Sequence, residues 1–233
     1  MNSKVLTVIM PAFNEENTIS QIISKVLSQS CVNQLIIIDD GSTDSTAGKI
    51  EQFTSDNRVK FIQQERNAGK GAAIKSVQIF VESPFVIIQD ADLEYDPSEY
   101  IKFIEPLKDG KADVILGSRF QTGEIRRVSF FWHYLGNKFL TLLSNAFTNL
   151  NLTDMECCYI AMKSQLFKDL NLVERGFGNQ PEMIAKLASR KCVFYEVSVS
   201  YFGRSYEEGK KINYRDGFNA LYCIIKYNIF CKK

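Results

Sequence analysis

An α/β fold, a mostly parallel sheet with helices on both faces, is predicted for this 233-residue chain by three observations. Short apolar runs rich in β-branched residues recur through residues 1–120. Segments of helical character separate them, so strand and helix alternate every ~20–30 residues, which is the pattern of successive βα units. Each run ends abruptly in a polar cluster, and open sheets of this kind bind ligands outside the carboxyl ends of their strands.

Residues 5–10 (VLTVIM) form the first strand, ended by Pro11, which has no N–H to give a ladder. Thr18 is placed to cap the next helix, where Ile19, Ile22, Ile23, Val26 and Leu27 recur at helical spacing. Residues 35–38 (LIII) are a second buried strand, closing on Asp39-Asp40-Gly41-Ser42, and a helix over roughly residues 45–54 follows. Residues 59–63 read as a third strand, and Gly69-Lys70-Gly71 opens a helix carrying Ala72, Ala73, Ile74, Val77 and Phe80. The fourth strand, residues 85–88 (FVII), runs into Gln89-Asp90-Ala91-Asp92. A helix over residues 97–107 then leads to a fifth strand at 114–116 and to Gly117-Ser118-Arg119.

The second half has another texture. Residues 130–150 are rich in aromatics and leucine and predict one or two amphipathic helices. A short strand follows Tyr159, a helix covers residues 181–189, residues 193–199 (VFYEVSV) alternate as a strand, and a last amphipathic helix starts near residue 214. The whole reads as one domain, 1–233, with a nucleotide-binding half at 1–120 and an acceptor-binding half at 121–233.

A 45% hydrophobic content is enough for a full core. The formal net charge of +1 gives no global attraction to nucleic acid, so nucleic acid is not an expected partner and any anion site must be local. The six cysteines form no CxxC pair and read as free thiols of a reducing compartment. The N-terminal residues lack a signal-peptide build, and no apolar run reaches the ~20 residues of a spanning helix. A cytoplasmic protein is expected, with peripheral attachment to the cytoplasmic membrane face open to it.

Asp90 and Asp92 stand two residues apart, so in an extended segment their carboxylates face one side and can share a hard cation. Mg2+ or Mn2+ held by one or two carboxylates and substrate phosphates is the expected arrangement, and such an ion neutralises charge on a departing diphosphate. Asp40 is placed as an acceptor for a nucleobase or ribose. The Gly69-Lys70-Gly71 turn lacks P-loop spacing but lets a nucleotide approach closely, with Lys70 adding positive charge. Arg119, Arg126, Arg127, Arg204, Lys210 and Lys211 supply cations for phosphate. His133, the single histidine, lies between Trp132 and Tyr134 on an apolar helix and reads as packed.

VIMPAFNEENTI, IIIDDGSTDST, NAGKGAAIKS, VIIQDADLEYDP and VILGSRF, in that order, resemble glycosyltransferase family 2 enzymes of the GT-A (Rossmann-like) fold. The later segments HYLGNKF, DMECCYIAMKS, PEMIAKLA and YFGRSYEEGKKINYRDGFNAL resemble its dolichyl-phosphate mannosyltransferase and polyprenyl-phosphate glycosyltransferase branch. The resemblance implies that Pro11, Ala12 and Glu15 border the nucleotide and that Asp40 contacts the base. Asp90, Ala91 and Asp92 would hold metal and diphosphate, with Glu94 as a further ligand; Arg119, Arg204 and Lys210 would meet donor or acceptor phosphate. It implies a UDP- or GDP-linked donor and inversion by direct displacement. The chain departs from better-known members in having Glu156-Cys157-Cys158-Tyr159 where Gly-Phe or Gly-Tyr is common, and in showing no C-terminal transmembrane pair within these residues.

A lipid-phosphate acceptor needs cations rather than a strong base, and Arg119, Arg126, Arg127 and Arg204 are available. A saccharide hydroxyl needs a carboxylate base, for which Asp154 and Glu182 are the candidates. Phe130, Phe131, Trp132 and Tyr134 beside Arg126, Arg127 and Lys138 have the composition of an interfacial helix, for a membrane surface or a homodimer contact. A sugar-nucleotide nucleotidyltransferase would show a glycine-rich basic loop where Pro11-Ala12-Phe13-Asn14-Glu15 stands; a non-catalytic nucleotide-binding module would have no need of both Asp90 and Asp92.

Overall fold

The computed structural model describes residues 4–128, 130–204, 207 and 214–231. In chain order its elements are β1 (Leu6–Ala12), α1 (Ile19–Leu27), β2 (Val32–Asp39), α2 (Thr46–Glu51), β3 (Val59–Gln63), α3 (Lys70–Ser76) and β4 (Phe85–Ile88). They continue with α4 (Tyr100–Lys108), β5 (Val114–Ser118), α5 (Phe131–Thr148), β6 (Ile160–Lys163), α6 (Ser164–Asp169), α7 (Asn179–Ser189), β7 (Phe194–Ser198) and α8 (Tyr214–Ile225).

The seven strands form one sheet in the order β3-β2-β1-β4-β6-β5-β7. All neighbours are parallel except β6, which runs antiparallel between β4 and β5. β1, β2 and β4 are buried along nearly their whole length, as continuous apolar strands covered on both faces must be. The chain winds outward from β1 to β2 and β3, then returns to place β4 on the other side of β1. That reversal opens a crevice between the carboxyl ends of β1 and β4, where Glu15 and Asp90-Ala91-Asp92 follow their strands.

α1 buries Ile19, Ile22, Ile23 and Val26 as one stripe, as the spacing predicts. Thr18 does not cap it; its hydroxyl donates instead to the Ala91 carbonyl at 2.8 Å, tying the start of α1 to the acidic turn after β4. The helix expected over residues 45–54 is helical only at Thr46–Glu51. The one expected over residues 97–107 opens with a 3-10 turn, Pro97–Glu99, because Asp96 accepts from the Ser98 amide at 3.0 Å. Residues 130–150 form a single helix, α5, closed by Asn149 in the left-handed conformation. α5 packs against α7 and α8 yet fully buries only Thr141 and Ser144. Neither α6 nor the π-helical turn Lys226–Phe230 after α8 is signalled by periodicity. Among the described residues no helix is long and apolar enough to cross a membrane.

Candidate active site

The turn after β4 carries the site. Leu93 has a φ of 64°, rarely adopted by a side chain of its size, and it swings the chain so that Asp92 and Glu94 both face residues 201–204. Arg204 forks onto two carboxylates, with Nη1 and Nη2 at 3.0 and 3.1 Å from Glu15 and Nη2 at 3.1 Å from Asp92. Lys70, at the start of α3, places its ammonium 2.5 Å from Asp90. Burial works against that ammonium, and the Asp90 carboxylate outweighs it, holding Lys70 above the ordinary lysine range.

Glu94, expected as a further metal ligand, has both oxygens committed elsewhere: one accepts the Arg204 amide at 2.7 Å, the other the Tyr201 hydroxyl at 3.0 Å. It anchors the 201–204 segment over the site. Among the described residues no group of three or more His, Cys, Asp or Glu side chains converges on a metal position. Asp90 and Asp92 themselves fit a hard divalent cation: both are oxygen donors, two residues apart in the crevice. The Asp92 carboxyl is pushed up to about 7 by burial and by the Asp90 and Glu94 charges, with Arg204 pulling it back, so further positive charge is what this pocket lacks.

Asp40 does not present a free carboxylate. Its two oxygens accept the Ala68 and Gly69 amides, each at 2.8 Å, and so hold the loop that delivers Lys70. Its neighbour Asp39 has one oxygen accepting from the Ser42 amide at 3.2 Å, while Oδ2 is buried with no partner among the described residues. Asp39 closes β2 beside a cleft lined by Gly41, Ser42, Thr43, Gln63, Gln64 and Glu65. Pro11 and Ala12 end β1, and the Ala12 carbonyl accepts the Asp40 amide at 2.8 Å.

Arg119 and Asp154 form a bidentate pair, Nε to Oδ2 at 2.7 Å and Nη2 to Oδ1 at 2.8 Å, with the Arg119 amide adding a third bond at 3.0 Å. Asp154 is fully buried with both oxygens used, which removes it as a candidate base. Glu182 is removed for the same reason. It is fully buried, accepts the Val173 and Glu174 amides at 2.8 Å, and pairs with Lys186 at 2.6 Å. The turn it clamps bears on the donor side. A Cβ on Gly71 would collide with the Glu174 carbonyl, one on Gly69 with that of Arg175, and the Arg175 carbonyl accepts the Ala72 amide of α3 at 3.0 Å. Replacing Glu182 with Gln is expected to cost about 1–3 kcal/mol, since one amide loses a charged acceptor in a dry site. Urea unfolding measures this, and activity per folded molecule should change far less than for variants of Asp92.

The cations of the second half gather on one ring. The Arg119 and Arg126 guanidinium carbons lie 5.5 and 5.3 Å, and the Lys138 ammonium 4.9 Å, from the centroid of Phe120. Lys138 also donates to the Thr153 carbonyl at 3.0 Å, and Arg127 to the Gly203 carbonyl at 2.9 Å. Sequence reasoning missed Lys138 and Phe120 as site residues, because only the approach of α5 to the β5 end joins them to Arg119. Lys210 and Lys211 lie outside the described residues.

The glycosyl transferase family 2 model matches residues 7–170. Glycosyltransferase AglJ of Haloferax volcanii is 28% identical over 231 residues, covering 95% of this chain and 72% of that protein. Dolichol-phosphate mannosyltransferase of Pyrococcus furiosus is 25% identical over 211 residues, covering 88% of this chain and 58% of that protein. The chain thus spans 72% and 58% of the length of these two relatives. Glucosyl-3-phosphoglycerate synthase of Mycobacterium tuberculosis, solved with Mn2+, UDP and glucosyl-3-phosphoglycerate, superimposes with a TM-score of 0.75 at 18% identity, over 97% of this chain and 80% of that one. Its likeness shows that the sheet and its crevice have the GT-A fold. With the family model matched across most of the fold, the chain belongs to glycosyl transferase family 2 and is a glycosyltransferase that uses a nucleotide-sugar donor.

Proposed function

We propose that the protein moves a hexose from a UDP- or GDP-linked donor to a polyprenyl-type lipid phosphate, with inversion, at the cytoplasmic face of a membrane. The observation that carries this reading is the set of three cations around Phe120, set next to an exposed apolar surface. Phe130, Phe131 and Trp132, at the start of α5, are 64%, 65% and 74% exposed. An anionic head group beside an apolar chain is the ligand that such a junction suits. The dolichol-phosphate mannosyltransferase among the relatives supports the same reading.

On the donor side, residues 1–120 supply the nucleotide site. The base or ribose would lie in the cleft at the ends of β2 and β3, lined by Ser42, Thr43, Gln63 and Gln64. Asp90 and Asp92 would hold Mg2+ or Mn2+, which when bound supplies positive charge to the departing diphosphate. Lys70 and Arg204, which bridge to these carboxylates, are positioned to share themselves with the diphosphate oxygens. On the acceptor side Arg119, Arg126 and Lys138 hold the attacking phosphate, which is already anionic and needs no strong base.

The test is a panel of UDP- and GDP-sugars with a polyprenyl phosphate, with and without manganese, following labelled lipid product. Sugar transfer to a saccharide hydroxyl but not to the lipid phosphate would sink the acceptor assignment. A second prediction concerns the surface. The pair Phe131→Ser and Trp132→Ser should weaken co-sedimentation with anionic vesicles by at least about tenfold, each ring contributing roughly 1.5–3 kcal/mol of burial. Unchanged sedimentation would remove the membrane.

A further inference from the structure

The two carboxylates that fit a metal are each held by a cation of the chain itself. Lys70 lies 2.5 Å from Asp90, and Arg204 lies 3.1 Å from Asp92. Both oxygens of Asp92 are engaged: Oδ1 accepts the Glu94 amide at 3.1 Å and Oδ2 accepts from Arg204. The Glu94 amide belongs to the bend at Leu93 and cannot leave without undoing it. The guanidinium can leave. The Arg204 backbone is pinned, its amide donating to Glu94 at 2.7 Å, but its side chain is partly open to solvent and can turn about its own bonds. Its present seat is also incomplete. Nη1 and Nη2 serve Glu15 and Asp92, while Nε is buried with no hydrogen-bond partner among the described residues, Glu94 Oε1 lying 3.8 Å away.

A divalent ion and a guanidinium on the same Asp92 oxygen repel each other. A nucleoside diphosphate changes that balance. It brings several anionic oxygens into the crevice, and a guanidinium forks onto phosphate as it does onto carboxylate. We infer that Arg204 and Lys70 are exchangeable counter-ions: they hold Asp92 and Asp90 against a metal ion alone and pass to the diphosphate when the donor binds. Metal and donor then bind as a coupled pair, because the anion draws away the cations that compete with the metal. Only ionic and hydrogen-bond contacts change hands in this exchange. It rests on the metal role proposed above for Asp90 and Asp92, and it adds the residues that tie metal binding to the donor.

The experiment is calorimetric titration of Mn2+ into the wild type, Arg204→Gln and Lys70→Gln, each alone and with saturating UDP or GDP. Circular dichroism checks that each variant is folded. In the wild type the nucleotide should tighten Mn2+ at least about tenfold, and Mn2+ should tighten the nucleotide by the same factor. Arg204→Gln should bind Mn2+ alone about five- to tenfold more tightly than the wild type, and bind the nucleotide more weakly. Lys70→Gln should move both affinities in the same directions. A cation that only props up the site would weaken the metal on removal, and one that only binds diphosphate would leave Mn2+ alone unchanged. Mn2+ affinity without nucleotide that is unchanged or weaker in folded Arg204→Gln therefore overturns the inference and leaves the metal site standing. Lys70→Gln decides in its place if Arg204→Gln does not fold. A wild type that binds nucleotide but no Mn2+, with or without that nucleotide, overturns the metal reading and this inference with it.

Discussion

Asp92→Asn is expected to lower sugar transfer at least about a hundredfold, some 2.7 kcal/mol of transition-state stabilisation, without loss of the fold. The two halves of this expectation have separate physical causes. Asn keeps the shape of Asp92 and the acceptor that Oδ1 offers to the Glu94 amide at 3.1 Å. Arg204 retains its two contacts to Glu15. The variant also loses a buried carboxylate that burial and its acidic neighbours disfavour, so its thermal midpoint should match or exceed the wild type. What it cannot do is give a second anionic oxygen ligand beside Asp90, and weaker manganese binding should accompany the lost activity. Manganese titration alongside the donor assay reads both. Near-wild-type transfer would remove the metal role from Asp92.

The second large effect is on stability. Arg119→Met leaves Asp154 as a fully buried, uncompensated charge, and about 3–5 kcal/mol should be lost. Much of a domain's total stability is of that size, so the variant should be largely unfolded at growth temperature. Arg119→Lys separates charge from geometry. It keeps one positive charge and loses the fork that binds both Asp154 oxygens, so an intermediate loss is expected. Denaturant midpoints for the three proteins decide the order. Equal stability of the Met variant and the wild type would mean that Asp154 finds another partner. The pair also bears on function, because Asp154 fixes the guanidinium that stacks over Phe120 and Tyr201. A role for Arg119 in catalysis is therefore best tested with the Lys variant, which has a folded background.

Local chemistry made much of this legible. Five parallel strands follow from runs such as LIII and FVII, because a strand buried on both faces must be apolar throughout. The placement of acidic groups at strand ends follows from the same runs, since a carboxylate cannot continue a dry strand. β6 was found, but its direction was not: antiparallel pairing with β4 and β5 is set by neighbours more than forty residues away. α6 was missed because six residues are too few for a helical period to register. At the site, the residues named for chemistry largely lie together, and the errors are errors of role. Asp40, Asp154, Glu182 and Glu94 all looked like free carboxylates in a list of residues.

The α/β class, and a crevice where Asp90 and Asp92 stand at the end of a buried strand, were legible in composition and spacing over a few residues, and the family in the order of its motifs. Which carboxylates are spent and which are open depends on contacts made between distant parts of the chain. Asp40 meets amides 28 and 29 positions away, Arg204 meets Glu15 across 189, and Asp39 keeps an oxygen that no group among the described residues satisfies. Hydrogen bonds act over about 3 Å in space and have no fixed separation along the chain. The difference between a structural acid and a working one therefore appears only once the chain is folded.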